Sequence, residues 1–287
     1  MQLEARAKIN WTLDITGETA NGYHLMDMLM QPVTLCDDVT LERAPELSLT
    51  CGGTPYLPPD ERHLALRAAR ALKGASGYAS GAAIRVEKHI PVGAGMGGGS
   101  ADAAAVLLGL NRLWGLNWPQ EKLEALGLTL GADVPFCLRG GLARVQGIGE
   151  KMQPVYCKKT WALCVVQPCE GLSTGEVFRA YHTEKVAARP DNDAAAKALS
   201  EGNLSLLAAS MGNALQSVSE RMRPEIAGAI AQLKAMGAAA ALMTGSGSAV
   251  FGVFEDDERA ENTAAKLRVQ YPRCWACRTA LESVAER

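Results

Sequence analysis

Gly93, Gly95, Gly97, Gly98 and Gly99 place five glycines within seven positions of the segment PVGAGMGGGSAD, residues 91–102. Each glycine costs backbone entropy on folding, so a cluster this dense implies positive φ angles or close approach of a ligand to the main chain. Bare amides running into a helix start form an anion site, and phosphate suits it best. Three phosphate-loop patterns can be compared with it. Walker A needs Gly-Lys-Ser/Thr, and here Gly99 runs straight into Ser100. A protein-kinase loop needs companion HRD and DFG motifs, which the chain lacks. Gly93, Gly95 and Gly98 do satisfy the dinucleotide pattern GxGxxG. The acidic residue that should end a strand about 20 residues later, however, has only Glu121 to fill it, inside the helical pattern WPQEKLEAL. A phosphate loop of another class and a nicotinamide-binding turn both stay open, and a flexible linker is the plain alternative.

Two further features bear on this loop. Lys88 precedes it on the strand parity of Ile84, Val86 and Ile90, so its charge either snorkels at a sheet edge or reaches a phosphate or ribose. MTGSGSAVFGVF, residues 243–254, is a second glycine-rich stretch, either an ordinary tight turn or the second wall of one phosphate site. The eight cysteines are scattered and read as small hydrophobes in a reducing compartment. Cys274 and Cys277 form a CxxC without the second pair or nearby histidines that zinc requires, so no metal site is expected.

The elements that must position these residues alternate between strand and helix periods. Ile84, Val86 and Ile90 alternate with Arg85, Glu87 and His89 as a strand leading into the glycines. Leu64, Ala68, Ala71 and Leu72 repeat as one helix face. Ser100 is placed to cap the next helix, whose stripe is Val106, Leu107, Leu110, Leu113 and Trp114. Pro224 opens another helix, burying Ile226, Ile230 and Leu233 and stopping at Gly237. A boundary falls near CKKTWALCVVQP, which divides an α+β fold into two domains, 1–158 and 159–287.

Composition limits the partners. A chain of 287 residues has ample length for a core, and a net charge of −2 provides no global field to recruit nucleic acid or an anionic membrane. No apolar run approaches the ~18 residues of a membrane span, and MQLEARAKIN lacks a signal-peptide apolar core. A cytoplasmic protein is expected, as a monomer or weak homodimer. No basic-aromatic motif supports RNA binding.

ARAKINWTLDITGETANGYH, the glycine segment with its following helix, GADVPF and MTGSGSAVF occur in the order seen in the GHMP small-molecule kinases, which the chain resembles over nearly its whole length. That resemblance implies an N-terminal α/β nucleotide-binding domain and a C-terminal ferredoxin-like domain, with the active site between them. The AKIN, GYH and PxGxGxGGGSxDAA motifs together point to the members that use ATP and Mg²⁺ to phosphorylate the 2-hydroxyl of a cytidine-diphosphate-linked methylerythritol. Members acting on homoserine, mevalonate or sugars are the alternative. By the same resemblance Asp133 is the catalytic aspartate and Lys8 its partner. Lys88, Pro91, Gly93, Gly95, Gly97, Gly98, Gly99 and Ser100 hold ATP. Tyr23, His24 and Phe178 surround the cytosine, and Asn10 and Thr174 contact the substrate. His63 stands where relatives often carry asparagine, and TGETANGYH departs from the acidic RxDGYH form.

Two of these assignments have plain alternatives in the residues. Asp133 sits before Pro135, where an Asx-type turn would use its side chain locally. Lys8 shares strand parity with Glu4, Arg6 and Asn10, as on a solvated face. Pairing explains both, because an apolar setting such as LGADVPFCL makes a lone carboxylate costly.

Overall fold

The structure, a computed structural model, describes residues 1–20, 22–53, 60, 62–181 and 189–287; Asn21 of the NGYH stretch lies outside them. Its backbone begins with a long antiparallel ribbon, β1 (Gln2–Glu18) and β2 (His24–Ala44). Strands this long would coil past the domain if regular. Register shifts between Arg6 and Lys8, Asn10 and Thr12, and Ile15 and Gly17 bend the pair.

There follow β3 (Ser48–Gly52), α1 (Leu64–Ser76), β4 (Gly81–Glu87), α2 (Gly98–Leu113), α3 (Gln120–Leu128), α4 (Val134–Arg139), β5 (Ala143–Gly147), β6 (Lys151–Pro154) and β7 (Ala162–Val166). The remainder comprises α5 (Thr174–Ala180), α6 (Asn192–Glu201), α7 (Leu204–Ser210), β8 (Gly212–Asn213), α8 (Gln216–Met222), α9 (Glu225–Ala235), β9 (Ala240–Met243), β10 (Val250–Phe254), α10 (Asp257–Leu267), β11 (Cys274–Arg278) and β12 (Val284–Glu286).

The first sheet runs β12-β1-β2-β4-β3, with β5 and β6 continuing from β2 and β8 beside β1. Helices α1, α2 and α4 pack together, with α2 against β1 and β2. The second sheet runs β11-β7-β10-β9 and is antiparallel throughout. Helices α9 and α10 lie against it. The sequence β7, α9, β9, β10, α10, β11 in that spatial order is the ferredoxin-like arrangement, so the expected α+β class holds. Trp11 of β1 joins the two sheets. Its ring meets Trp161 and Phe251 edge-on, at centroid distances of 6.1 and 5.7 Å.

Several local expectations hold and others need correction. Helix α1 follows its cap His63, whose Nδ1 accepts from the Ala65 N–H; it buries the expected Ala68 and Leu72 together with Ala65, Leu66 and Ala69, and leaves the expected Leu64 and Ala71 half-buried. Helix α9 follows Pro224 and buries Ile226, Ala229, Ile230 and Leu233. Ser100 does not cap α2. That place falls to Gly97, with φ of 70°, and the helix begins at Gly98. Nor does α2 carry a single stripe: Ala101 to Leu107 are all buried, because helices and sheet surround it. The dinucleotide reading also fails on topology. Beyond the glycines the chain passes through α2, α3 and α4 to β5, which is antiparallel to β2, so the doubly wound parallel unit that such a turn serves is not built.

Candidate active site

Lys8 and Asn10 project from β1 between two of its register shifts, at the point where the strand is bent towards the glycine segment. The Lys8 N–H donates to Met96 O at 2.9 Å, tying the loop to the strand. Lys8 is buried despite its polar parity, because the loop covers that face of the sheet. Its ammonium donates to Asn10 Oδ1 at 2.8 Å and lies 3.6 Å from Asp133 Oδ2.

Asp133 reaches this lysine because it is released from local work. It stands at the N-cap of α4 yet makes no capping hydrogen bond, so the Asx-turn alternative is set aside. Its side chain is 35% exposed against 6% for Lys8, so the carboxylate faces the cleft while the ammonium supports it from beneath. This corrects the expectation of an apolar setting for Asp133. The neighbours Val134 to Leu138 are buried, and the carboxylate itself is not.

The glycines lie directly over this pair. A β-carbon on Gly97 would meet Lys8 Cγ at 3.1 Å and Asp133 Oδ2 at 3.6 Å, and its φ of 70° is a conformation that L-residues rarely adopt. The first intrahelical bond of α2 runs from the Ala101 N–H to Gly97 O, so the amides of Gly98, Gly99 and Ser100 precede it and are available to an anion. The second glycine stretch forms the opposite wall. A β-carbon on Gly95 would come within 2.3 Å of Thr244 O, and the Ala249 N–H donates to Ala94 O at 3.1 Å. Asn10 fastens the walls together: its Oδ1 accepts from Lys8 Nζ and from the Gly245 N–H, and its N–H donates to Thr244 Oγ1.

Between these walls is a cleft of about 450 Å³, within the usual size for a small-molecule site. It brings together Lys8, Asn10, Pro91, Gly93, Gly95, Gly97, Gly98, Gly99, Ser100, Asp133, Thr174 and Phe178. Thr174 Oγ1 lies 2.9 Å from Ser246 Oγ, joining the start of α5 to the second loop. The His24 ring stacks on Phe178 at 5.1 Å and meets Tyr181 edge-on. Tyr23 stands apart at 64% exposure, on a turn held by the Thr19 N–H donating to Tyr23 O. The structure therefore assembles His24 with Phe178 but leaves Tyr23 outside that stack.

Lys88 is a different case. It is buried, so the snorkelling alternative is wrong, and its ammonium is bonded to Asp37 and Asp102 (2.6 Å) rather than turned into the cleft. Asp37 also accepts the His89 and Ile90 N–H groups at 2.6 and 2.8 Å. The sequence reading missed both carboxylates. Asp102 left a readable signal as the one charge in the apolar run SADAAAVLLGL, whereas nothing in Asp37-Asp38 tells which member turns inward. Thr244 and Ser246 of the second loop were also missed as individual residues. Among the described residues, no three His, Cys, Asp or Glu side chains gather as a metal cluster. Cys274 of the CxxC instead lies beside Cys164, at 3.6 Å.

The chain matches the family models for the GHMP kinases N terminal domain over residues 63–141 and GHMP kinases C terminal over residues 195–273. It is 40% identical to a 4-diphosphocytidyl-2-C-methyl-D-erythritol kinase of Clostridium botulinum (strain Eklund 17B / Type B), an alignment covering 97% of this chain and 100% of that one. A namesake from Pelotomaculum thermopropionicum (strain DSM 13744 / JCM 10971 / SI) is 42% identical, with 92% of each covered. A crystal structure of a 4-(cytidine 5'-diphospho)-2C-methyl-D-erythritol kinase superposes with a TM-score of 0.84 at 35% identity, covering 98% of this chain and 99% of the other. Homoserine kinase from Cytophaga hutchinsonii shares the fold at a TM-score of 0.75 and 16% identity, covering 99% and 96%.

Proposed function

The chain belongs to the 4-diphosphocytidyl-2-C-methyl-D-erythritol kinases, within the GHMP kinases, and from that membership we propose that it transfers the γ-phosphoryl group of ATP to the 2-hydroxyl of 4-diphosphocytidyl-2-C-methyl-D-erythritol, in non-mevalonate isoprenoid precursor synthesis. The observation that carries the chemistry is the Lys8 ammonium 3.6 Å from the Asp133 carboxylate, with Gly97 directly above them.

Phosphoryl transfer asks a protein chiefly for alignment and charge stabilisation. The amides at the start of α2 take the ATP phosphates, and the bare backbone of Gly95 and Gly97 lets them approach. Mg²⁺ enters as the counter-ion of those phosphates, as part of that substrate. Asp133 orients the attacking hydroxyl and takes its proton, and Lys8 holds the charge that develops beside it. Asn10 and Thr174 contact the acceptor, while His24 and Phe178 take the cytosine, with Tyr23 closing over it from its exposed turn. Residues 1–158 form the nucleotide-binding unit and 159–287 the second, although β8 and β12 from the latter stretch pair with β1. No helix among the described residues is long and apolar enough to cross a membrane. We place the reaction in the cytoplasm.

The test is incubation with ATP, Mg²⁺ and the cytidine ester, following the product by phosphorus NMR. A new phosphomonoester on the 2-hydroxyl is expected. Phosphate on another hydroxyl, no transfer at all, or tight binding of NADH without ATP would refute the assignment.

A further inference from the structure

The buried cluster of Lys88, Asp37 and Asp102 has no place in the transfer just described, yet three segments around the glycine loop converge on it. Lys88 and the Ile90 N–H belong to the chain entering the loop, Asp102 to the first turns of the helix leaving it, and Asp37 to β2 below. Gly98 seats the loop on the ammonium, since a β-carbon there would lie 3.4 Å from Lys88 Nζ and 3.0 Å from Ile90 Cγ2. Two carboxylates face one ammonium with almost no solvent, because the side chains of Asp37 and Asp102 are 0% exposed and that of Lys88 is 3%. Asp102 Oδ1 has no hydrogen-bond partner among the described residues, so a full negative charge on it is poorly supported.

We propose that Lys88, Asp37 and Asp102 are the positioning residues of the glycine loop, and that a proton held by the two carboxylates keeps the cluster neutral and so favours ATP. The proposal rests on the ATP reading of the loop. With one proton bound, the cluster counts one ammonium against one carboxylate. Without it, a net negative charge lies under the amides that receive phosphate, weakening them. Burial pushes the Asp102 carboxyl up, to about 8, with Asp37 adding to the rise and Lys88 opposing it. The affinity for ATP is thus full while the pair of carboxylates holds its proton and weakens as pH rises through the pair's raised pKa. Among the described residues, His63 ahead of α1, Cys51 on β3 and Cys137 on α4 lie near enough to sense the charges of the cluster. Burial lowers the histidine and raises both thiols, and so favours the neutral form of all three.

The experiment is calorimetric titration of ATP with Mg²⁺ at pH 6.5 to 9.5 on the intact chain and on Asp102→Asn, with the KM for the cytidine ester measured alongside. The intact chain should lose on the order of tenfold in ATP affinity across the alkaline limb. Asp102→Asn, which mimics the protonated carboxyl, should show a flat profile, with the KM for the ester unchanged in both. If Asp102→Asn does not fold, Asp37→Asn carries the same expectation, because the remaining carboxylate then ionises as a simple pair with Lys88. Parallel profiles for the intact chain and a folded variant, or a flat profile in the intact chain, would overturn the proposal. Absence of ATP binding at every pH would instead overturn the kinase reading on which it stands.

Discussion

A single β-carbon at position 97 would touch both members of the proposed catalytic pair. Gly97→Val should therefore weaken ATP at least about tenfold, or ~1.4 kcal/mol, and lower turnover as well, because the new side chain displaces Lys8 and strains a positive φ. Titration of a folded variant with ATP checks this, and unchanged affinity would remove the loop from the phosphate site. Asp133→Asn keeps the shape of the cleft and removes the carboxylate proposed to accept the proton. Its turnover should drop by ~10²–10⁴-fold with both substrates still bound, as read by kcat against the two KM values. These residues were legible as types: a glycine cluster, an aspartate before proline and a strand lysine. Their meeting was not. Whether an N-cap aspartate turns back onto its own helix or out to a lysine 125 positions earlier is decided by tertiary packing, and strand parity alone put Lys8 on a face that the loop then covers.

The two glycine loops act as one element because buried asparagines splice them to the strands. Asn213 donates to Met243 O and Gly245 O at 2.9 and 2.8 Å and accepts from the Leu215 N–H. Asn213→Ala leaves those carbonyls unpaired and should cost about 1–3 kcal/mol, read as a lowered midpoint in thermal or urea denaturation, with a raised KM for the acceptor. A neutral change in both would mean that the second loop holds its shape unaided. Composition offered this loop as either a tight turn or the second wall of one phosphate site, and packing decides for the wall. The sequence reading failed at the start of α2, where Ser100 is a better capping side chain than Gly97 but cannot adopt the left-handed turn that brings the loop over Lys8. Similarly, β4 and its lysine were visible by alternation. The two aspartates that bury that lysine come from other elements, and no local pattern announces them.

At the scale of the molecule, the two sheets share an aromatic contact rather than a linker. Trp11 is fully buried between Trp161 and Phe251, and its Nε1–H donates to Gln31 Oε1 at 2.9 Å. Trp11→Ala should lower stability by about 3–5 kcal/mol, and calorimetry should show one cooperative transition moving as a unit. Two separated transitions would show halves that fold independently. The division at 158/159 was read from a polar step followed by an apolar strand, but the return of β12 to β1 was hidden, since the three-residue strand Val284–Glu286 is too short to carry an alternation. Function is tested at this scale too, through the choice of acceptor. Aromatic stacking on Phe178 tolerates any base, so preference for cytosine must come from hydrogen bonds, and His24, whose ring lies against Phe178, is the side chain we propose for them. The most direct measurement is kcat/KM for the cytidine diphosphate ester against its uridine counterpart, homoserine and mevalonate, with ATP and Mg²⁺. The cytidine ester should be phosphorylated far better than the other three, with His24→Ala narrowing its lead over the uridine ester. Equal use of the uridine ester, or efficient phosphorylation of homoserine or mevalonate with none of the cytidine ester, would contradict the proposed reaction.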